Sequence, residues 1–254
     1  MKRWRWHILL FIAVYTVALV ATLPAALALR WAEPVLQKLP QRPVLQGIDG
    51  SIWSGRAAQA SYHGLVLGEL QWEISPWNLL IGHIDMELKI TNAEGYLDGT
   101  LSSGFSGGRM RLHDVKGQLP AVWVKSFMPS LPITPTGSFA VNMDEAVIEA
   151  ARLRALDGRL VWNKGGVSAP LALEFGDLVA EFTSNESGIA GRIKDSGGPL
   201  QLAADLKLGA DGGYTLTGKS AARPGANPAL GTSLSLLGQP DAQGMIPFRF
   251  NGRL

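Results

Sequence analysis

From residue 47 onward the chain alternates. Val66, Gly68, Leu70, Trp72 and Ile74 fall on one side of a run whose other side is Glu69, Gln71 and Glu73, and Ile84-Asp85-Met86-Glu87-Leu88-Lys89-Ile90-Thr91 sets four apolar positions against four polar ones. A period of two places every apolar residue on one face of a strand, so these are half-buried strands. The same texture covers Tyr96 to Leu101, Gly108 to Val115, Leu160 to Trp162, Leu171 to Phe175, Leu178 to Phe182, Leu200 to Leu208 and Tyr214 to Gly218. Ile48 to Gly55 reads as a short early strand between glycines. Met245 to Leu254 reads as the last strand, with Ile246, Phe248 and Phe250 on its apolar face and Pro247 marking an edge.

The alternation is interrupted in three places. Ser75-Pro76-Trp77-Asn78-Leu79-Leu80-Ile81-Gly82 has a capping serine, a proline at the first helical position and a terminal glycine, which predicts a turn or two of helix between strands. Pro120, Pro129, Pro132 and Pro135 surround a short apolar stretch, Ala121 to Met128, and place a joint there. Ser138 to Arg154 reads equally as strand or helix. Asn227-Pro228-Ala229 opens a helix with Leu230, Leu234 and Leu237 on one face and a stop at Gly238. The pattern Ile48-Asp49-Gly50-Ser51-Ile52 recurs at Leu97 to Leu101 and Leu156 to Leu160, either from duplication or from repeated turn chemistry. The expected fold is therefore mainly β: a mostly antiparallel sheet with a few short helices, and two similar halves, 46–118 and 138–254, as an open option.

Ahead of the strands lies Ile8 to Leu29, 22 residues without a charge, opened by Lys2, Arg3 and Arg5 and closed by Arg30. At about 1.5 Å per residue a helix of that length crosses a hydrocarbon core of about 30 Å. The cationic start keeps the amino terminus cytoplasmic, and Trp4, Trp6 and Trp31 bracket the span as interfacial anchors do. This divides the chain into a cytoplasmic 1–7, a transmembrane helix 8–29, a spacer 30–45 and an exported β domain 46–254. A cleaved signal peptide ending near Ala26-Leu27-Ala28 is the competing reading; continuation of the apolar run to Leu29 favours a retained anchor.

Composition narrows the chemistry. There is no cysteine, which removes disulfides, thiolate metal sites and a cysteine nucleophile. The net charge is +2, and Lys2, Arg3 and Arg5 exceed that by themselves, so the exported part is close to neutral and carries no nucleic-acid footprint. Gly213-Tyr214-Thr215-Leu216-Thr217-Gly218-Lys219-Ser220 matches a phosphate-binding loop in spelling. Its Tyr-Thr-Leu-Thr centre forms strand, and Pro224 stops the helix that would have to begin at the lysine. Gly104-Phe105-Ser106-Gly107-Gly108 matches a nucleophile elbow, but alternating residues follow where a helix is required, so a glycine-rich hairpin loop is the better account of Ser106. His7, His63, His83 and His113 lack metal-ligand spacing, and the carboxylates are scattered. No catalytic centre, cofactor, nucleotide or metal is expected.

Eight tryptophans carry more information. Trp53, Trp72 and Trp162 fall on expected strands, and Trp77 and Trp123 on short helical stretches. Most belong to a core. The alternative is an aromatic surface for a partner or an acyl chain, for which Trp53, Trp72, Trp77, Phe248 and Phe250 are the candidates.

The order of motifs resembles the type II secretion system protein N family. The resemblance runs over the whole chain and rests on the charged start and single span, on Gly50-Ser51-Ile52-Trp53-Ser54-Gly55-Arg56-Ala57, on Leu70-Gln71-Trp72-Glu73-Ile74-Ser75-Pro76-Trp77-Asn78-Leu79-Leu80-Ile81-Gly82, and on Leu234-Ser235-Leu236-Leu237-Gly238-Gln239-Pro240-Asp241-Ala242-Gln243-Gly244 before a short terminal strand. It implies a non-enzymatic, single-pass protein of the cell inner membrane. Its periplasmic domain would contact other secretion subunits during export of folded proteins across the outer membrane. The family is also similar, more distantly, to envelope proteins whose curved sheet holds lipid in an apolar groove, which implies lipid as an alternative partner.

Overall fold

The computed structural model describes residues 7, 11, 15, 19, 21–36, 43–80, 82–104, 108–128, 132–150, 152–169 and 171–253. Thirteen strands form one sheet whose spatial order is the chain order, and every neighbouring pair is antiparallel. They are β1 (Val44–Gly50), β2 (Ser54–Tyr62), β3 (Leu65–Ile74), β4 (His83–Thr91), β5 (Tyr96–Gly104), β6 (Arg109–Pro120) and β7 (Pro135–Glu149). After these come β8 (Arg152–Val167), β9 (Leu173–Asn185), β10 (Gly188–Asp195), β11 (Leu200–Gly209), β12 (Gly213–Ala222) and β13 (Ile246–Arg253). Among the described residues, four helices of continuous extent accompany the sheet: α1 (Ala25–Leu36), α2 (Pro76–Leu80), α3 (Trp123–Phe127) and α4 (Pro228–Ser235). The mainly β, antiparallel class expected from the alternation is the observed one.

Because the meander has no crossover, a single row of directly opposed residues can be followed from one edge to the other. On one face it runs Ile48, Ala57, Leu70, Ile90, Leu97, Gly117, Val141, Leu160, Ala180, Ile193, Ala204, Gly218, Phe248. One residue along each strand, on the other face, it runs Asp49, Arg56, Gln71, Lys89, Asp98, Lys116, Asn142, Arg159, Glu181, Arg192, Asp205, Thr217, Arg249. The alternation in sequence thus becomes one apolar and one charged face. Most apolar-face residues of β3 to β8 are only half-buried, because among the described residues no second sheet packs on them.

The joint expected at Leu119 to Gly137 does not divide the sheet: β6 and β7 pair from Arg109 opposite Glu149 to Pro120 opposite Ser138, and α3 is an excursion between them with Trp123 buried. Ser138 to Arg154, ambiguous in sequence, supplies most of β7 and the start of β8, two long strands. Ile48 to Gly55 is not one strand. Gly50 takes φ +93°, Ser51 Oγ accepts from the Trp53 and Ser54 N–H groups, and the chain reverses into β2, so Trp53 lies in a turn rather than on a strand. The repeated Asp-Gly has two roles: a hairpin end at 49–50, and strand interiors beside register shifts at 98–99 and 157–158. Gly213 to Ser220 lies wholly within β12, as the strand reading requires. Ser106 lies outside the described residues, but Ser103 pairs with Met110 across it, as in a hairpin.

No helix among the described residues is long and apolar enough to cross a membrane. Residues 8–10, 12–14, 16–18 and 20, ten of the 22 in the expected 8–29 span, lie outside the described residues. Those described at 7, 11, 15, 19 and 21 are helical; the helix is interrupted at Thr22 to Pro24, and α1 begins at Ala25. The break has partners: Ile52 N–H donates to the Leu23 carbonyl (3.0 Å), and Pro24 bridges to Ser51. α1 then extends into the expected 30–45 spacer.

Candidate functional site

Both ends of the apolar face carry a helix, and the two helices pack differently. Ala25, Ala28 and Leu29, at i, i+3 and i+4 of α1, turn toward β1 to β4. Two of these are alanines, of which Ala25 is buried. Between them and Leu45, Ile48, Leu70, Trp72, Met86 and Leu88 remains a cavity of about 360 Å³ with an almost wholly apolar lining. Trp72 forms part of its wall because Gly55 faces it across β2 and β3: a Cβ at Gly55 would lie 2.4 Å from the indole. The outer side of α1 leaves Leu27 and Trp31 exposed.

At the far end α4 is capped by Asn227, whose Oδ1 accepts from Ala229 N–H (3.0 Å), with Pro228 at its first position. It packs on the apolar side of β12 and β9 through Leu230, which is 1% exposed. The helix stops at Ser235, short of Gly238, so Leu237 is exposed and does not extend the buried face. An ion pair fastens the chain leading into α4. Arg223 donates to Asp195 Oδ2 (2.5 Å) and to the Gly198 and Leu200 carbonyls, and Asp195 accepts from Leu202 N–H (2.7 Å). Burial alone would raise the Asp195 pKa; hydrogen bonds from Leu202, Arg223 and Gly197 outweigh it and hold the carboxyl below its ordinary value. Sequence spacing missed this pair, whose members stand 28 residues apart. The Asp-Ser-Gly-Gly turn signal at 195–198 was its only trace.

The structure divides the five aromatic candidates. Trp72 lines the cavity. Trp53 sits beside it in the β1–β2 turn, its carbonyl accepting from Ile74 N–H (2.6 Å). Trp77, on α2, is 76% exposed and does not line the cavity. Phe248 and Phe250 lie together on β13, at the opposite edge, with ring centroids 5.7 Å apart. Sequence reading also missed a cluster in mid-sheet, where Trp162 meets Phe139 and Phe175 at 5.3 and 5.8 Å and donates its indole N–H to the Thr136 carbonyl (2.8 Å).

On the charged side, a depression of about 860 Å³ beside β13 is lined by Arg192, Lys194, Lys219 and Arg249 together with Asp205. Lys219 pairs with Asp241 (2.7 Å), which holds that carboxyl below its ordinary value, and Arg192 lies 3.8 Å from Asp205. A second depression, of about 630 Å³ at β1 to β6, mixes acids and bases, among them Arg56, Glu73, Glu87, Lys89 and Asp98. Among the described residues no three His, Asp or Glu side chains converge as a metal site.

These surfaces belong to a chain with clear relatives. It is 29% identical to a "Type II secretion system protein N" of Aeromonas hydrophila over 96% of both chains, and 29% identical to one of Vibrio cholerae serotype O1 over the full length of both. A third relative of that name, from Pectobacterium carotovorum subsp. carotovorum, is 24% identical over 85% of this chain and 86% of its own. No solved structure matches. Residues 42–249, the whole sheet apart from its last few residues, match the family model described as "Type II secretion system (T2SS), protein N", and the chain therefore belongs to the type II secretion system protein N family.

Proposed function

We propose that this chain is an inner-membrane-anchored subunit of the type II secretion system whose β domain works in the periplasm. There it is a non-catalytic interaction module in the export of folded proteins across the outer membrane. The observation that carries the reading is architectural: one layer of thirteen strands presents two broad faces and two edges, and family membership covers nearly all of it. The exposed Phe11, Tyr15 and Leu19 of the amino-terminal stretch support its immersion in lipid, with the charged start in the cytoplasm. Chemical cross-linking in whole cells, followed by purification of the full-length protein from inner-membrane extracts, tests this reading. Recovery of other secretion subunits is the expected result, and a protein recovered alone overturns it.

A second reading has its own observation. The apolar cavity beneath α1 opens beside the half-buried apolar face, and its volume of about 360 Å³ falls within the size range of small-ligand sites. In this reading the domain holds or transfers lipid. Native mass spectrometry of protein released gently from membranes should then show a bound lipid that Leu88→Asp removes, and a lipid-free protein sinks the idea.

A further inference from the structure

The two edges of the sheet are not equivalent. At the β1 edge, Gly47 and Gly50 take φ +64° and +93° and interrupt the extended backbone, and the amino-terminal chain crosses the end of the strand at Leu23 and Pro24. The β13 edge lacks the first device, and the chain passes close to it only at its start, where Gly238 lies beside Ile246 and the Pro247 carbonyl. Its eight residues pair with β12 from Gly213–Arg253 to Ser220–Ile246 without a register shift, and none has a positive φ. Pro247 has no N–H, so it occupies a position whose N–H would point away from β12. In an antiparallel strand orientation alternates, and Arg249, Asn251 and Arg253 therefore turn their N–H and C=O groups to the open side.

The side chains decide what can pair there. The row of Phe248 and Phe250 continues the apolar face of the sheet, and Phe250 is 47% exposed. Arg249 and Arg253 lie on the charged face, about 13 Å apart along the strand. Neither has a carboxylate within 4 Å among the described residues; Arg253 is spent on the Asp211 carbonyl, and Arg249 reaches only Asn251. Lys194 adds to the positive side beside them, whereas Lys219 is paired with Asp241. A second copy of this chain is a poor partner: two β13 strands would set arginines against arginines, and like charges opposed across strands destabilise the pair.

We infer that β13 is an acceptor edge for an extended segment of a different protein, one with acidic side chains on one face and apolar side chains on the other. The added strand hydrogen-bonds to the backbone of Arg249, Asn251 and Arg253, sets carboxylates against Arg249 and Arg253, and covers Phe248 and Phe250. This rests on the reading of the domain as an interaction module, and it names the surface and the partner's chemistry.

The test uses the full-length protein in cells, with the photo-crosslinker p-benzoylphenylalanine at position 250 and, as a control, at position 44 on the β1 edge. Asn251→Pro removes an outward N–H while leaving every β12 hydrogen bond in place, and Arg249→Glu reverses the charge. The expected result is a cross-link from position 250, and little from 44, to a secretion subunit at a segment alternating acidic and apolar residues. Each variant should reduce that product at least tenfold while keeping a wild-type melting temperature. If amine cross-linking recovers secretion subunits but position 250 gives no product, or the variants leave the product unchanged, the edge proposal falls and the module reading stands. Attachment of position 250 to a second copy of the chain overturns it equally. Recovery of no subunit by either chemistry overturns both.

Discussion

α1 and α4 lie on the same face of one sheet, yet a cavity remains beside α1 whereas α4 buries Leu230 almost completely. The difference comes from a few side chains. α1 presents Ala25, Ala28 and Leu29 alongside large neighbours, Trp72, Met86 and Leu88, and a cavity remains among them. α4 buries Leu230 to 1% exposure, and its Gly231 comes close to the small Ala222 of β12. A hydrophobic face therefore becomes a core or a pocket according to whether the covering helix supplies volume. The ion pairs follow the same division. Asp195–Arg223 at the α4 end is fixed by backbone hydrogen bonds, with Asp195 only 9% exposed, whereas Arg56–Asp49 near α1 spans 3.4 Å with both side chains mostly in water.

The largest effect expected is from Leu230→Ala. Truncating a fully buried leucine in a site already filled costs its transfer energy and leaves a void, about 3 kcal/mol. The same truncation at Leu29, beside an existing cavity and partly exposed, should cost about 1 kcal/mol. Urea denaturation of the full-length protein in detergent, followed by circular dichroism, measures both. Equal losses would mean that the two ends are packed alike.

Asp195→Asn should cost about 2 kcal/mol at pH 7, below the range for fully buried pairs because Arg223 is a third exposed. The carboxylate's folded-state pKa is depressed, so its stabilisation is complete above its unfolded value of about 3.9 and is lost as pH falls through the lower, folded value. Wild type and variant should therefore converge in stability well below pH 4. Asp49→Asn, at the other end, should change stability by less than about 0.5 kcal/mol at either pH. A gap between wild type and Asp195→Asn that persists at low pH would show that packing, and not charge, is what the substitution removes.

The elements most legible in sequence were those with strong alternation, β3 and β4 above all. β2 was missed for a physical reason. Its apolar row is Gly55, Ala57 and Ala60, small because Trp72 and Leu70 stand opposite and fill the space, so Ser54 to Tyr62 carries no hydrophobic rhythm to read. Ser138 to Glu149 contains two alanines, a methionine and two glutamates, which helices also favour; pairing with β6 and β8 along its whole length decides in favour of strand. Trp72 and Phe250 were legible as candidates, but not that they would lie at opposite ends of the sheet. The register that brings Asp195 to Arg223 is a property of the folded sheet. So is the gap beneath α1, since a closed core and an open groove give the same alternation.

The last expected effect has the opposite sign. Ala28→Leu adds three carbons to a side chain that lines the cavity, and if about half of that volume finds apolar contact the protein gains about 1 kcal/mol. Overpacking is avoidable, since the space is many times the volume added. The same variant separates an incompletely packed core from a binding site. If the gap is only a packing defect, Ala28→Leu raises the melting temperature and leaves export of secreted proteins unchanged. If an acyl chain fills the cavity in the membrane, the leucine competes with it: the purified protein gains stability, lipid retained through purification falls, and export falls with it. A variant that loses stability in detergent while retaining its lipid would mean that the alanines of α1 already touch the sheet closely in solution, and the contrast between the two helices would then fail.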